Sequence, residues 1–146
     1  MTIKRMDHVV VVVEDLAAGT EFFTTLGMAV EAQMPIEGDW VDRVNGIKGV
    51  KVDIVMLVTP DGHSKVELTQ FRSPALAKVE PAAAPPNALG YRSVMFTVTD
   101  IDDSVARLQA VGGALMGEVT RYEDLYRLCY MRGPAGIIVA LAQELF

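Results

Sequence analysis

Glu67 stands inside the run KVELTQF (65–71), and His8 opens the run HVVVVV (8–13). A carboxylate flanked by Val66 and Leu68 is costly to bury unless it is paired, hydrogen-bonded, protonated or metal-bound. Glu67 is therefore read as facing a functional cavity; the plain alternative is an edge strand with Glu67 in water. His8 has two readings, a satisfied core histidine or a cavity group. As a pair, the two could move a proton, with Glu67 as base and His8 as its partner. They could also hold a divalent metal, though weakly, because catalytic metal sites generally use three or more protein ligands. Asp53 and His63 are the other donors of the first half. The facing of Asp53 is open, and His63, in the turn PDGH (60–63), reads as exposed and non-ligating.

Both residues must be positioned by strands. Five consecutive valines, Val9 to Val13, predict a strand over 6–13 that is buried on both faces. Alternation puts His8, Val10 and Val12 on one side and Val9, Val11 and Val13 on the other. Asp15 sits where a helix N-cap belongs, Phe22, Phe23 and Leu26 form an apolar stripe, and Gly27 is the stop. Strands follow at 28–34, 50–58 and 65–71, the last with Lys65, Glu67, Thr69 and Phe71 on one face. The stretch 35–49 has three glycines, Pro35 and the only tryptophan, Trp40. It reads as a short helical turn in a loop, either a flap over a pocket or a surface loop with Trp40 tucked into the core.

The chain then repeats itself. SVMFTVTDIDDSVARLQAVG (93–112) superposes without a gap on HVVVVVEDLAAGTEFFTTLG (8–27), at an offset of 85. Asp100 falls on Asp15 and Gly112 on Gly27, so one supersecondary unit is used twice. His8 falls on Ser93, which is a poor metal ligand. Strands are expected at 91–98, 114–120, 124–132 and 137–143, with a helix at 100–111. Each half is thus βαβββ, with modules at 1–71 and 91–146. Residues 72–90 hold four of the seven prolines and read as a linker. In the second module Tyr91, Ser93, Met95 and Thr97 share the face of the His8-equivalent position. Arg127 and Cys129 share one face of their strand with Met131, and they join Trp40, Tyr91, Ser93 and Met95 as expected cavity residues. The solvated arginine and the small buried cysteine are the plainer alternatives.

The chain has 146 residues, 51% of them hydrophobic, and a net charge of −6. That composition fits one domain with a real core, or two small modules sharing one, and argues against disorder and a nucleic-acid partner. A single cysteine excludes an intrachain disulfide. No apolar signal region or run long enough to span a membrane is seen, so a cytoplasmic location is expected.

The opening DHVVVVVEDL (7–16), with KVELTQF (65–71), GYRSVMFTVTDID (90–102) and YMRGPAGIIVAL (130–141), resembles the vicinal oxygen chelate superfamily. Glyoxalase I, methylmalonyl-CoA epimerase, extradiol dioxygenases and bleomycin-resistance proteins belong to it. The resemblance covers nearly the whole chain. It implies an α+β fold of two βαβββ modules, whose strands form a half-barrel around a cavity with the helices outside, and a homodimer. It implies metal ligands at four places, here His8, Glu67, Ser93 and Ala140. Ser93 is a poor ligand and Ala140 none, so the expected cofactor is none tightly bound, or a weakly held Zn, Ni, Co, Mn or Fe. The implied activity is proton transfer on a small molecule, as in a lyase, isomerase or epimerase. The alternative is a metal-free protein that sequesters its ligand, as bleomycin-resistance proteins do.

Overall fold

The structure is a computed structural model and describes residues 2–146. It divides into two compact units, with the boundary between Ala77 and Lys78. The first unit contains β1 (Val9–Val12), α1 (Leu16–Leu26), β2 (Ala29–Glu37), α2 (Asp39–Asn45), β3 (Lys51–Val58) and β4 (Lys65–Ser73). The second contains β5 (Ser93–Thr97), α3 (Ile101–Ala110), β6 (Ala114–Tyr122), β7 (Tyr126–Arg132) and β8 (Ile138–Glu144). Each unit is one four-stranded mixed sheet, in the orders β1-β4-β3-β2 and β5-β8-β7-β6. In both, the first and last strands pair in parallel and the other neighbours are antiparallel. A parallel pair needs a crossover, which α1 and α3 supply at the start of each unit.

The helices form where the sequence provides their ends. The Asp15 carboxylate accepts the Ala18 amide at 3.0 Å, and the Asp100 carboxylate accepts the Asp103 amide at 3.0 Å. Gly27 closes α1 at φ +120°, a conformation that disfavours a side chain. On one face of the first sheet, Phe22 and Phe23 of α1 and Val11, Val55, Leu57, Val66 and Leu68 are buried, and Gly19 lets the helix approach Leu68 closely. The second unit buries Ile101, Val105 and Leu108 of α3 in the same way, with Met131, Val139 and Leu141.

Three backbone details repeat with the fold. The Gln70 side-chain oxygen accepts the first amide of α1, from Leu16, at 2.9 Å, and that of Gln143 accepts the first amide of α3, from Ile101, at 2.9 Å. The Val13 amide donates to the Thr69 carbonyl, as Val98 does to Ala142. Met28 donates to Phe23, as Gly113 does to Leu108. The last strand of each unit therefore caps the helix that follows the first.

Two sequence expectations change. β1 is not buried on both faces: Val10 is 51% exposed and Val12 41%, while Val11 is covered. Of the two readings of Trp40, the one with the ring in the core does not hold: it lies 59% exposed on α2. The buried anchor of α2 is its neighbour Val41, which packs on Val50, Val52 and Ile54 with Ile36 and Phe71 beside them. Asp42 fixes the far end by accepting the Gly49 and Val50 amides at 2.9 and 2.8 Å. β2 also runs through Pro35 to Glu37, which an edge strand tolerates. In the second unit, the Arg132 guanidinium donates to the Ala84 and Gly136 carbonyls at 2.9 and 2.8 Å. That contact ties part of the proline-rich stretch to its sheet.

Replacing Gln143 with Leu should strand the first amide of α3 in a half-buried place. We expect a loss of about 1–3 kcal/mol, the usual cost of an unsatisfied buried donor. Urea denaturation checks this, and an unchanged midpoint would show that water replaces the glutamine at no cost.

Candidate functional site

Strand register builds the site from the first sheet. In the parallel pair Val10 lies opposite Glu67, and in the antiparallel pair Glu67 lies opposite Met56. One step along, Val12 lies opposite Thr69 and Thr69 opposite Ile54. These residues share the face turned away from α1. Helix α2 covers the end of that face over Val52 and Ile54, and Val10, Val12 and Glu67 stand at the uncovered end.

Glu67 is held from two sides. Its Oε2 accepts the Thr69 hydroxyl at 2.7 Å. Its Oε1 stands 3.7 Å from His8 Nε2, too long for a hydrogen bond and short enough for an ion pair or one bridging atom. The two side chains are 19% and 28% exposed, so the pair is accessible without being fully solvated. Thr69 is the one buried polar residue among those described, and its hydroxyl is spent on the carboxylate. On the other side of the imidazole, Nδ1 lies 2.7 Å from Asp7 Oδ2. Hydrogen bonds from His8 and Arg5 hold the Asp7 carboxyl below the usual carboxylate range. Asp7 and Thr69 are direct neighbours of the pair that the sequence reading did not single out. Thr69 was visible as a same-face neighbour of Glu67, two residues on in the strand.

The second sheet repeats the register without the chemistry. Met95 lies opposite Ala140, as Val10 does opposite Glu67. Thr97 lies opposite Ala142, as Val12 does opposite Thr69. The positions of His8, Glu67 and Thr69 are thus occupied by Ser93, Ala140 and Ala142. Ser93 and Met95 share a face with Ala140, as expected, and Tyr130 lies opposite Ala140 on that same face. Tyr91 precedes the strand and is 58% exposed.

Arg127 is a correction. Its guanidinium binds Asp102 of α3 through two hydrogen bonds of 2.7 and 2.9 Å, on the face opposite Tyr130. The pairing lowers the Asp102 pKa and raises that of Arg127. Cys129 has the same strand parity, and burial pushes its thiol pKa up. It also borders a hollow of about 440 Å³ that includes Pro86, Met116, Leu128 and Tyr130. Asp53 pairs with Arg72 at 3.1 Å, away from Glu67, and His63 stays in its turn, donating its amide to Asp61.

The donor set does not fit a closed metal centre. His8 Nε2 and Glu67 Oε1 converge, but no group of three or more His, Cys, Asp or Glu able to hold a metal occurs among the described residues.

With fold and site in place, the class is clear: a two-unit α+β protein with one polar pair on a sheet face. Residues 5–141 match the model of the Glyoxalase/Bleomycin resistance protein/Dioxygenase superfamily, and the chain belongs to that family. It is similar to a glyoxalase family protein of Bacillus cereus, with 48% identity and a TM-score of 0.94 over 100% of this chain and 97% of that one. It shares its fold with TnmS3, an antibiotic binding protein from Streptomyces sp. CB03234, at 19% identity and a TM-score of 0.62 over 99% and 98% of the two chains. A glyoxalase family protein of Enterococcus faecalis gives the same identity and TM-score, over 97% and 99%. No curated protein matches the chain in sequence. No helix among the described residues is long and apolar enough to cross a membrane.

The Asp102–Arg127 pair predicts an acid-limb effect. A depressed carboxylate pKa contributes stability above the unfolded value, and that contribution is lost as pH falls through the folded one. Asp102→Asn should therefore be less stable than wild type near neutrality, by a small amount because the pair is exposed. The difference should vanish in acid. Thermal melts across pH check this; a gap that persists in acid would place the effect elsewhere.

Proposed function

We propose that the protein binds a small molecule on the Val10–Glu67–Met56 face and that Glu67 exchanges a proton with it, with His8 as partner. The observation that carries this reading is the convergence of Glu67 Oε1 and His8 Nε2 at 3.7 Å beside exposed Val10 and Val12. Apolar side chains next to a pair of proton acceptors suit a ligand with an apolar body and one ionisable or acidic group. The reaction class is that of a lyase, isomerase or epimerase. The chain's own residues do three things in it. Thr69 fixes one carboxylate oxygen, Glu67 presents the other, and His8 stands where it can stabilise or accept the transferred proton. Any divalent metal would be held weakly, by two side chains, and no step is assigned to it.

A second reading is a sequestering protein with no turnover. It is favoured by the bare second sheet, where Ser93 and Ala140 stand in place of the polar pair. The antibiotic-binding TnmS3 has the same fold, and at 19% identity that likeness supports no more than the fold's suitability for such a role.

Glu67→Gln separates function from folding. The amide oxygen of the introduced glutamine can still accept the Thr69 hydroxyl. The melting temperature should therefore stay the same or rise, since a half-buried charge is removed. Turnover, read as solvent-deuterium exchange into an α-hydroxy or 2-methyl thioester, should fall by the roughly 10²–10⁴ expected of a lost general base. A variant that melts well below wild type and exchanges normally would contradict the assignment. A wild type that binds such compounds without exchanging them would favour sequestration.

A further inference from the structure

We infer that Asp7 is a positioning residue that holds His8 in its Nδ1–H form and turns the Nε2 lone pair toward Glu67. An ionised carboxylate only accepts hydrogen bonds, so the 2.7 Å contact between Asp7 Oδ2 and His8 Nδ1 requires the proton to sit on Nδ1. In the neutral ring Nε2 is then the acceptor. Asp7 is itself anchored: Arg5 donates to its other oxygen, Oδ1, at 3.1 Å. On the far side, Thr69 occupies Glu67 Oε2, which leaves Oε1 to face the imidazole.

The chain Arg5–Asp7–His8 and the pair Thr69–Glu67 thus end in two acceptor atoms, Nε2 and Oε1, 3.7 Å apart. Two acceptors facing one space repel each other unless a donor stands between them. The group they suit is a ligand atom carrying polar hydrogen, such as a hydroxyl or an amine, or a cation. With the other tautomer, Nε2–H would point toward Glu67 Oε1 and the site would offer a ligand one acceptor rather than two. Asp7 therefore sets whether the pair meets a ligand with two acceptors or one. Where a histidine binds a metal, orienting partners of this kind alter its function by roughly 10–100-fold.

This role of Asp7 rests on the proposed function for its purpose and is tested without it. Histidine-labelled protein in a His63→Gln background leaves one imidazole, whose nitrogen shifts report the tautomer by NMR. On the neutral plateau of a pH titration, His8 should be mainly Nδ1–H in the parent. Asp7→Ala should move the majority to Nε2–H without changing the melting temperature, because Asp7 is exposed. Asp7→Asn, whose amide oxygen can still accept from Nδ1, should restore the Nδ1–H form. An Nε2–H majority in the parent, or the same tautomer in parent and Asp7→Ala, would overturn the inference. The NMR result stands whether or not the thioester exchange is observed, so failure of the proposed reaction and failure of the Asp7 role are distinguishable.

Discussion

The parallel pairing of the first and last strands is the constraint on which each unit depends. A strand can lie parallel beside β1 only if the chain crosses over first, so α1 must exist and must pack on the sheet. The same pairing brings the Gln70 side chain to the first amide of α1 and the Thr69 carbonyl to Val13. It also sets Glu67 beside Val10, two residues from His8. Scaffold and site are therefore built from one register. A one-residue slip of β4 would turn Glu67 toward α1 and Leu68 toward solvent, losing both together.

The second unit shows what the scaffold needs without the site. Every repeated backbone contact survives there: the aspartate cap, the glutamine on the first helical amide and the strand-to-strand bond at Val98. The polar group does not survive. Glu67 and Thr69 become Ala140 and Ala142, which are 1% and 4% exposed. Two small apolar side chains bury at no desolvation cost, whereas a carboxylate there would need a partner. The polar trio of the first unit is thus not a requirement of folding, which is why we place function on it.

Much of this was legible in the sequence. The offset repeat, the aspartate caps and the glycine stops located α1, α3 and all eight strands, because caps and β-branched runs act locally. The Glu67–His8 pairing was accessible through the family resemblance, and the structure brings the two together. The facing of Arg127 was not accessible. Period two divides a strand into two sets but does not say which set meets the helix; Asp102 on α3 decides it, and only the fold brings them together. The two readings of Trp40 could not be separated for a related reason. A lone tryptophan invites burial, yet in the seven residues of α2 the inward position belongs to Val41. The Gln70–Gln143 equivalence was hidden because the later strands repeat at an offset of 73 rather than 85.

The central claim is that one sheet face, and not its repeat, receives the ligand. Backbone amide shift mapping on labelled protein, titrated with small α-hydroxy and 2-methyl thioesters, tests it most directly. The largest shifts are expected at Val10, Met56, Glu67 and Thr69, and they should be lost in a His8→Ala, Glu67→Ala double variant. Shifts centred on Met95, Ala140 and Tyr130, with the first sheet unmoved, would contradict it.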